Sequence, residues 1–161
     1  MDKNVVEKKQ YVRSLMDVGY EDMALVGGKS ASLGEMLRGL SSAGVRVPDG
    51  FSTTVEAYQC FIKENGLDEK IASLLRQYQT KQLTLREAGN SIRESILEKS
   101  IPEKVREAIG NGYRNLCAQY DVILMPVAVR SSATAEDQPG ASFAGMLDTH
   151  LNVQEIGRAH V

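Results

Sequence analysis

The chain has 161 residues, of which 42% are hydrophobic and 25% are charged, and its formal net charge at pH 7 is −2. This composition is typical of a folded globular domain and excludes a disordered, low-hydrophobicity chain. Basic residues are dispersed, so we expect neither a nucleic-acid partner nor a membrane partner. Residues 1–10 lack the apolar stretch of a secretory signal, and the longest apolar run, 122–129, is too short to cross a bilayer. A cytoplasmic location is therefore expected.

The first third of the chain predicts an extended segment, a glycine turn and a helix. Residues 24–26 are apolar and run into Gly27 and Gly28. From Ser30 onward the apolar residues recur at helical spacing, at Leu33, Met36, Leu37 and Leu40. We therefore expect a short strand or extended piece that turns directly into a helix.

A loop, a strand and a second helix are expected next. Residues 44–50 contain a proline and two glycines and predict a loop, and residues 51–53 predict a strand. Thr53 followed three residues later by Glu56 matches the capping box that opens a helix. That helix should end near Asn65-Gly66, a typical C-cap pair.

The second half of the chain combines three helices with short strands. Helices are predicted over residues 68–78 and 83–98, and a fifth should begin with Pro102 as its first helical residue. Residues 127–130 predict a strand, and residues 143–153 predict further strand structure after a turn at Pro139-Gly140. The fold class is accordingly α+β.

The first candidate site is the segment 26–30, which opens the first long helix. Its glycines allow backbone N–H groups to approach an anion, the helix N-terminus adds partial positive charge, and Lys29 adds a full charge. The segment lacks the longer glycine-bounded loop of a P-loop. Ordinary turn chemistry is the alternative interpretation.

The second candidate site follows the predicted strand 127–130. Arg130 ends that strand with a planar fork suited to phosphate oxygens, and hydroxyls follow at Ser131, Ser132 and Thr134. In the alternative interpretation the segment is a surface loop in which Arg130 pairs with a carboxylate at residue 136 or 137. Spacing alone leaves the two readings open.

Three blocks of sequence in a fixed order carry a resemblance to a known family. They are VGGKSASLGEM at 26–36, VPDGFSTTVEAY at 47–58 and VAVRSSATAEDQPGASFAGMLDTHLNV at 127–153. Together they resemble the N-terminal ATP-grasp region of the phosphoenolpyruvate synthase family, also called pyruvate, water dikinase. The resemblance implies that residues 1–154 are a partial ATP-binding domain with helices packed on a small mixed sheet.

The resemblance also implies an activity for the intact parent. ATP phosphorylates a histidine on a mobile domain, AMP and phosphate are released, and the histidine passes its phosphoryl group to pyruvate. By this resemblance Lys29 and Arg130 contact the nucleotide phosphates, Gly145 and Thr149 line the nucleotide site, and Ser131, Ser132 and Thr134 are weaker candidates. Magnesium would bridge the phosphates. A homodimer is a further expectation for the parent.

Two features leave the final phosphoryl acceptor open. Met146-Leu147 after Gly145 is closer to the pyruvate, phosphate dikinases, whereas the loop SSATAEDQPGASF resembles both the synthases and the rifampicin phosphotransferases. A non-catalytic module that binds a phosphate-bearing ligand is a further alternative.

Several parts of the enzyme implied by the resemblance are expected to lie outside this chain. They include the magnesium ligands, the adenine pocket, the phosphorylated histidine and the pyruvate-binding barrel. Neither His150 nor His160 matches that histidine, so we expect no catalytic residue and no metal ligand here, and no turnover by the chain alone. Residues 155–161 read EIGRAHV, which is also a translation of a common sequencing-adapter sequence, so we expect a non-native tail.

Overall fold

The computed structural model describes residues 10–134 and 149–154. Three short 3-10 helices, Leu15–Asp17, Tyr20–Asp22 and Ser41–Ala43, accompany the main elements. The described residues form four strands: β1 (Val12–Ser14), β2 (Phe51–Thr53), β3 (Val127–Arg130) and β4 (Thr149–Val153). They also form six α-helices: α1 (Met23–Val26), α2 (Gly28–Leu40), α3 (Val55–Glu64), α4 (Leu67–Gln79), α5 (Leu85–Leu97) and α6 (Glu103–Gln119).

The α+β class is confirmed, but the described strands do not form one mixed sheet. β1 pairs with β2 and β3 pairs with β4, and both pairs are antiparallel. The helices α3 to α6 separate β2 from β3 along the chain. The predicted strand structure at residues 143–148 lies outside the described residues.

Two apolar clusters pack the helices against one another and against the segments next to β1. The larger one joins the 3-10 segment after β1 to α1 and α2, through Leu15, Val18, Val26, Ala31 and Leu37. The smaller one joins α3 to α6, through Ala57, Cys60 and Val105, with Tyr11 and Ile109 packed against it. Within the described part of the chain, no helix has both the length and the apolar character needed to span a membrane.

The expectation of an extended segment at residues 24–26 is wrong. These residues belong to α1, a single helical turn that the Gly27 N–H closes by donating to the Met23 carbonyl at 2.9 Å. Three consecutive apolar residues are compatible with a strand or a helical turn, because so short a run contains no period. The choice is made by burial, since the Val26 side chain is only 2% exposed.

The helix starts agree with the sequence to within one or two residues. α3 is capped by Thr54 rather than Thr53, because Thr53 remains in β2 opposite Val12. The Thr54 hydroxyl accepts from the Ala57 N–H at 3.3 Å, while Glu56 accepts from the Gln10 N–H instead of completing a capping box. The end of α3 at Asn65-Gly66 is as predicted.

The last two helices show the same small shifts. α5 has a capping box that the sequence analysis overlooked, in which Thr84 and Glu87 satisfy each other's backbone N–H groups. It begins two residues later than the predicted 83. Pro102 is the N-cap of α6 rather than its first helical residue. Its ring still fixes the backbone at the entry to the helix, because it locks φ, which is −54° here.

Gly34 allows α2 to lie directly on the backbone of the segment that follows β1. A Cβ at this position would be 2.8 Å from the Leu15 carbonyl oxygen and still closer to that of Val18. Both distances are below a normal non-bonded contact. A Cβ at Gly39, on the same helix, would meet nothing within 4 Å.

We predict opposite effects of alanine at these two glycines. Gly34→Ala should destabilise the fold by about 1–3 kcal/mol or more, because backbone must move to admit the methyl group. Gly39→Ala should be neutral or stabilise it by up to about 1 kcal/mol, because alanine is the better helix former. Denaturant unfolding of the two variants measures both changes, and a Gly34→Ala midpoint equal to that of Gly39→Ala would contradict the packing described here.

Candidate functional site

The start of α2 is built around a glycine in the left-handed half of φ space. Gly27 has φ of +81° and separates α1 from α2, and its lack of a side chain leaves the helix without a cap of its own. The first N–H groups of a helix have no intrahelical acceptor and need partners from elsewhere. Here the partners come from the segment that follows β3.

Residues 131–133 lie across this helix start and satisfy it. The Ser30 N–H donates to the Ser132 hydroxyl at 3.0 Å, and the Gly28 N–H donates to the Ala133 carbonyl at 3.3 Å. The Ser132 hydroxyl donates in turn to the Val26 carbonyl at 2.8 Å. These bonds join two segments that are about a hundred residues apart in the chain.

The approach of β3 to this position is fixed by α6. The Tyr113 hydroxyl donates to the Met125 carbonyl at 2.7 Å and accepts from the Met125 N–H at 3.0 Å. α6 itself lies close on β2, since a Cβ at Gly112 would be 3.2 Å from the Phe51 ring. The residues that lead into β3 are therefore anchored before the strand begins.

Lys29 and Arg130 line one cleft of about 640 Å³. Lys29 is half-buried, and its Nζ lies 3.5 Å from the Ser131 hydroxyl, a contact that is not its only one. Arg130 is exposed, and its side chain forms no hydrogen bond or ion pair with another residue of the described part of the chain. The described lining of the cleft thus includes two cationic side chains.

Hydroxyl groups, apolar groups and the carboxylate of Asp49 form the other described walls of the cleft. Ser30, Ser52, Ser131 and Ser132 contribute hydroxyls. Apolar side chains come from α6 and from the approach to β3, among them Ile109, Leu116, Tyr120, Met125 and Val127. Such a combination of a mainly apolar wall with a few convergent polar groups is typical of small-molecule sites.

The other residues predicted for the site do not line the described part of the cleft. Thr149 is opposite Arg130 in the β3–β4 ladder, so the two side chains project from the same face of that pair. Thr149 is exposed and is not among the described residues that line the cleft. Thr134 is exposed and also lies off the cleft. Gly145 lies outside the described residues.

The helix start presents fewer open N–H groups than the sequence suggested. The expectation was that the glycines would offer their backbone N–H groups to an anion. Instead, the Gly28 and Ser30 N–H groups have acceptors within the protein. The positive charge available to a ligand in this part of the cleft comes from side chains and from the helix dipole.

A buried pair of hydroxyls in the wall of the cleft was missed by the sequence analysis. The Ser30 hydroxyl donates to the Ser52 hydroxyl at 2.9 Å, and both residues are buried. The Ser52 hydroxyl in turn lies 3.0 Å from the Thr53 carbonyl oxygen. Serines in a helix start and in a short strand give no sequence signal that they meet.

Comparison with known proteins now identifies the class. The family described as "Pyruvate phosphate dikinase, AMP/ATP-binding domain" matches residues 23–159, and the chain belongs to this family.

Among curated proteins the chain is similar to several phosphoenolpyruvate synthases. It is 44% identical over 145 residues to the one from Synechocystis sp., 45% over 138 residues to the one from Escherichia coli and 46% over 136 residues to the one from Deinococcus radiodurans. The matches cover 84% to 87% of this chain. The chain spans 17% to 18% of the length of these relatives.

We predict that the hydroxyls of Ser30 and Ser52 stabilise the fold as a unit. Ser52→Ala should cost about 1–3 kcal/mol, because the buried Ser30 hydroxyl loses its acceptor. The double variant Ser30→Ala/Ser52→Ala should cost less than the sum of the single variants. Chemical denaturation of the three variants measures these costs. Ser42→Ala, on the exposed 3-10 helix, is the control and should change stability by about 0.5 kcal/mol or less. Additive costs would show that the two hydroxyls act independently.

Proposed function

We propose that this chain is the ATP-binding segment of a phosphoenolpyruvate synthase-like dikinase, and that Lys29 and Arg130 hold the nucleotide phosphates. The observation that carries the proposal is their shared cleft. A polyphosphate requires several donors around one space, and two cations from distant parts of the chain supply them. Membership of an AMP/ATP-binding family supports a nucleotide as the ligand.

We propose for the parent the activity that the family resemblance implies, and the name phosphoenolpyruvate synthase of the similar proteins agrees with it. The parent uses ATP to phosphorylate a histidine, with release of AMP and phosphate, and the phosphohistidine then converts pyruvate to phosphoenolpyruvate. In this reaction the described residues bind and orient the triphosphate, a contribution that can be large because reacting groups must be held in line. We propose that the parent works in the cytoplasm; its assembly as a homodimer stays a prediction.

Magnesium enters this proposal only with the bound nucleotide. Divalent ions bridge and partly neutralise the phosphates of ATP in phosphoryl transfer. Within residues 10–134 and 149–154, no group of three or more His, Cys, Asp or Glu side chains could hold a metal ion. The phosphate contacts proposed here come from cationic and hydroxyl side chains.

The role of the two cations can be tested by binding. Lys29→Ala and Arg130→Ala should each weaken ATP binding roughly ten- to a hundredfold, since a hydrogen bond to a charged group contributes about 1.5–3 kcal/mol. Isothermal titration of the 161-residue chain measures the affinity. Lys70→Ala and Arg86→Ala remove the same charges from exposed positions on α4 and α5 that do not line the cleft. Equal effects of both pairs of variants would contradict the site.

Turnover should be absent from the chain by itself. Its two histidines are His150 and His160, and His150 is an exposed residue of β4 rather than part of the cleft. Pyruvate-dependent formation of AMP by the purified 161-residue chain would contradict this expectation. In a longer gene product that contains this chain, AMP formation that requires added inorganic phosphate would favour the phosphate-dependent dikinases over the synthases.

A further inference from the structure

The Ser132 hydroxyl is fully engaged inside the protein. It accepts from the Ser30 N–H at 3.0 Å and donates to the Val26 carbonyl at 2.8 Å. A serine hydroxyl has one proton to donate. Because that proton is directed to Val26, Ser132 has no proton left for a phosphate oxygen.

Ser132 therefore acts as an N-cap for α2, although the two are about a hundred residues apart in the sequence. A capping serine normally precedes its helix and accepts from the third helical N–H. Ser30 is the third residue of α2, and the residue in the capping position, Gly27, makes no side-chain cap. Ala133 adds a second acceptor, for the Gly28 N–H.

Gly27 is the counterpart that lets Ser132 approach so closely. A Cβ at Gly27 would lie 2.6 Å from the Ser132 hydroxyl oxygen and closer still to its carbonyl group. Its φ of +81° is also a conformation that residues with a side chain rarely adopt. Any side chain at position 27 would push the 131–133 segment away from α2.

This contact sets the distance between the two cations of the cleft. Lys29 lies between Gly28 and Ser30, the two residues whose N–H groups are bound by the 131–133 segment. Arg130 is two residues before Ser132 on the opposing segment. Separation of the segments would therefore move Arg130 away from Lys29.

We propose that Ser132 is a positioning residue: by capping α2 against Gly27, it holds Lys29 and Arg130 at the spacing that one nucleotide polyphosphate requires. The inference rests on the proposed function and assigns Ser132 a role through the protein, without contact to the ligand.

The first measurement is amide hydrogen exchange of the full 161-residue chain, which involves no ligand. In Ser132→Ala the Ser30 amide should exchange at least about tenfold faster, because it loses its acceptor. The Leu37 amide, farther along α2, should be unchanged, which shows that the helix is intact. Ser131→Ala is the matched control, because the Ser131 hydroxyl contacts the Lys29 side chain rather than a backbone N–H. Unchanged exchange at Ser30 in Ser132→Ala would overturn the proposal.

The second measurement separates positioning from direct contact with ATP. Ser132→Ala and Gly27→Ala should each weaken ATP binding about tenfold. Because both substitutions disrupt the same contact, the double variant should bind ATP with about the same affinity as the single variant that binds it less tightly. Multiplied losses, or full affinity in Ser132→Ala, would overturn the positioning role while leaving the ATP site in place. Failure of the unmodified chain to bind ATP would instead overturn the proposed function, and the positioning role with it. If Gly27→Ala does not fold, the positioning role is tested by Ser132→Ala alone, through its affinity for ATP and the exchange rate of its Ser30 amide.

Discussion

The candidate site depends on one constraint, the need of the first backbone N–H groups of α2 for acceptors. A helix that begins after Gly27 has no capping side chain of its own, and unsatisfied backbone groups at a partly buried helix end are costly. The protein meets this need with the hydroxyl of Ser132 and the carbonyl of Ala133. The same contacts bring the end of β3 to the start of α2, and so a local need for hydrogen bonds creates a long-range junction.

The elements between the two halves of the site have a supporting role. α3 to α5 lead the chain away from β2, and α6 returns it across β1 and β2, with Gly112 allowing close contact to Phe51. The hydroxyl of Tyr113 then holds Met125 in place just ahead of β3. Arg130 is thus supported by packed elements on the approach side and by the contact with α2 on the other. Rigid support of this kind is what a phosphate-binding pair needs to be preorganised.

Two lines of observation support the proposed nucleotide site. Similarity of sequence places the chain in an AMP/ATP-binding domain family without reference to which residues meet in space. The geometry brings Lys29 and Arg130 to one cleft without reference to any relative. The reaction of the parent depends on the first line alone, because the chain spans only 17% to 18% of the length of the relatives described above. The roles proposed for Ser132 and Gly27 depend on the second.

By itself, the sequence determined the α+β class, most of the helices and the two segments that bear the cations. Periodicity identifies α2 and α4 to α6, because an amphipathic helix must repeat its apolar residues every three to four positions. It did not decide residues 24–26 or the choice between Thr53 and Thr54 as cap, since burial of Val26 and pairing of Thr53 with Val12 fix these. Nor did it reveal the bond between Ser30 and Ser132. Residues 102 positions apart have no spacing rule, and only the packing of α6 and β3 brings that hydroxyl to that amide.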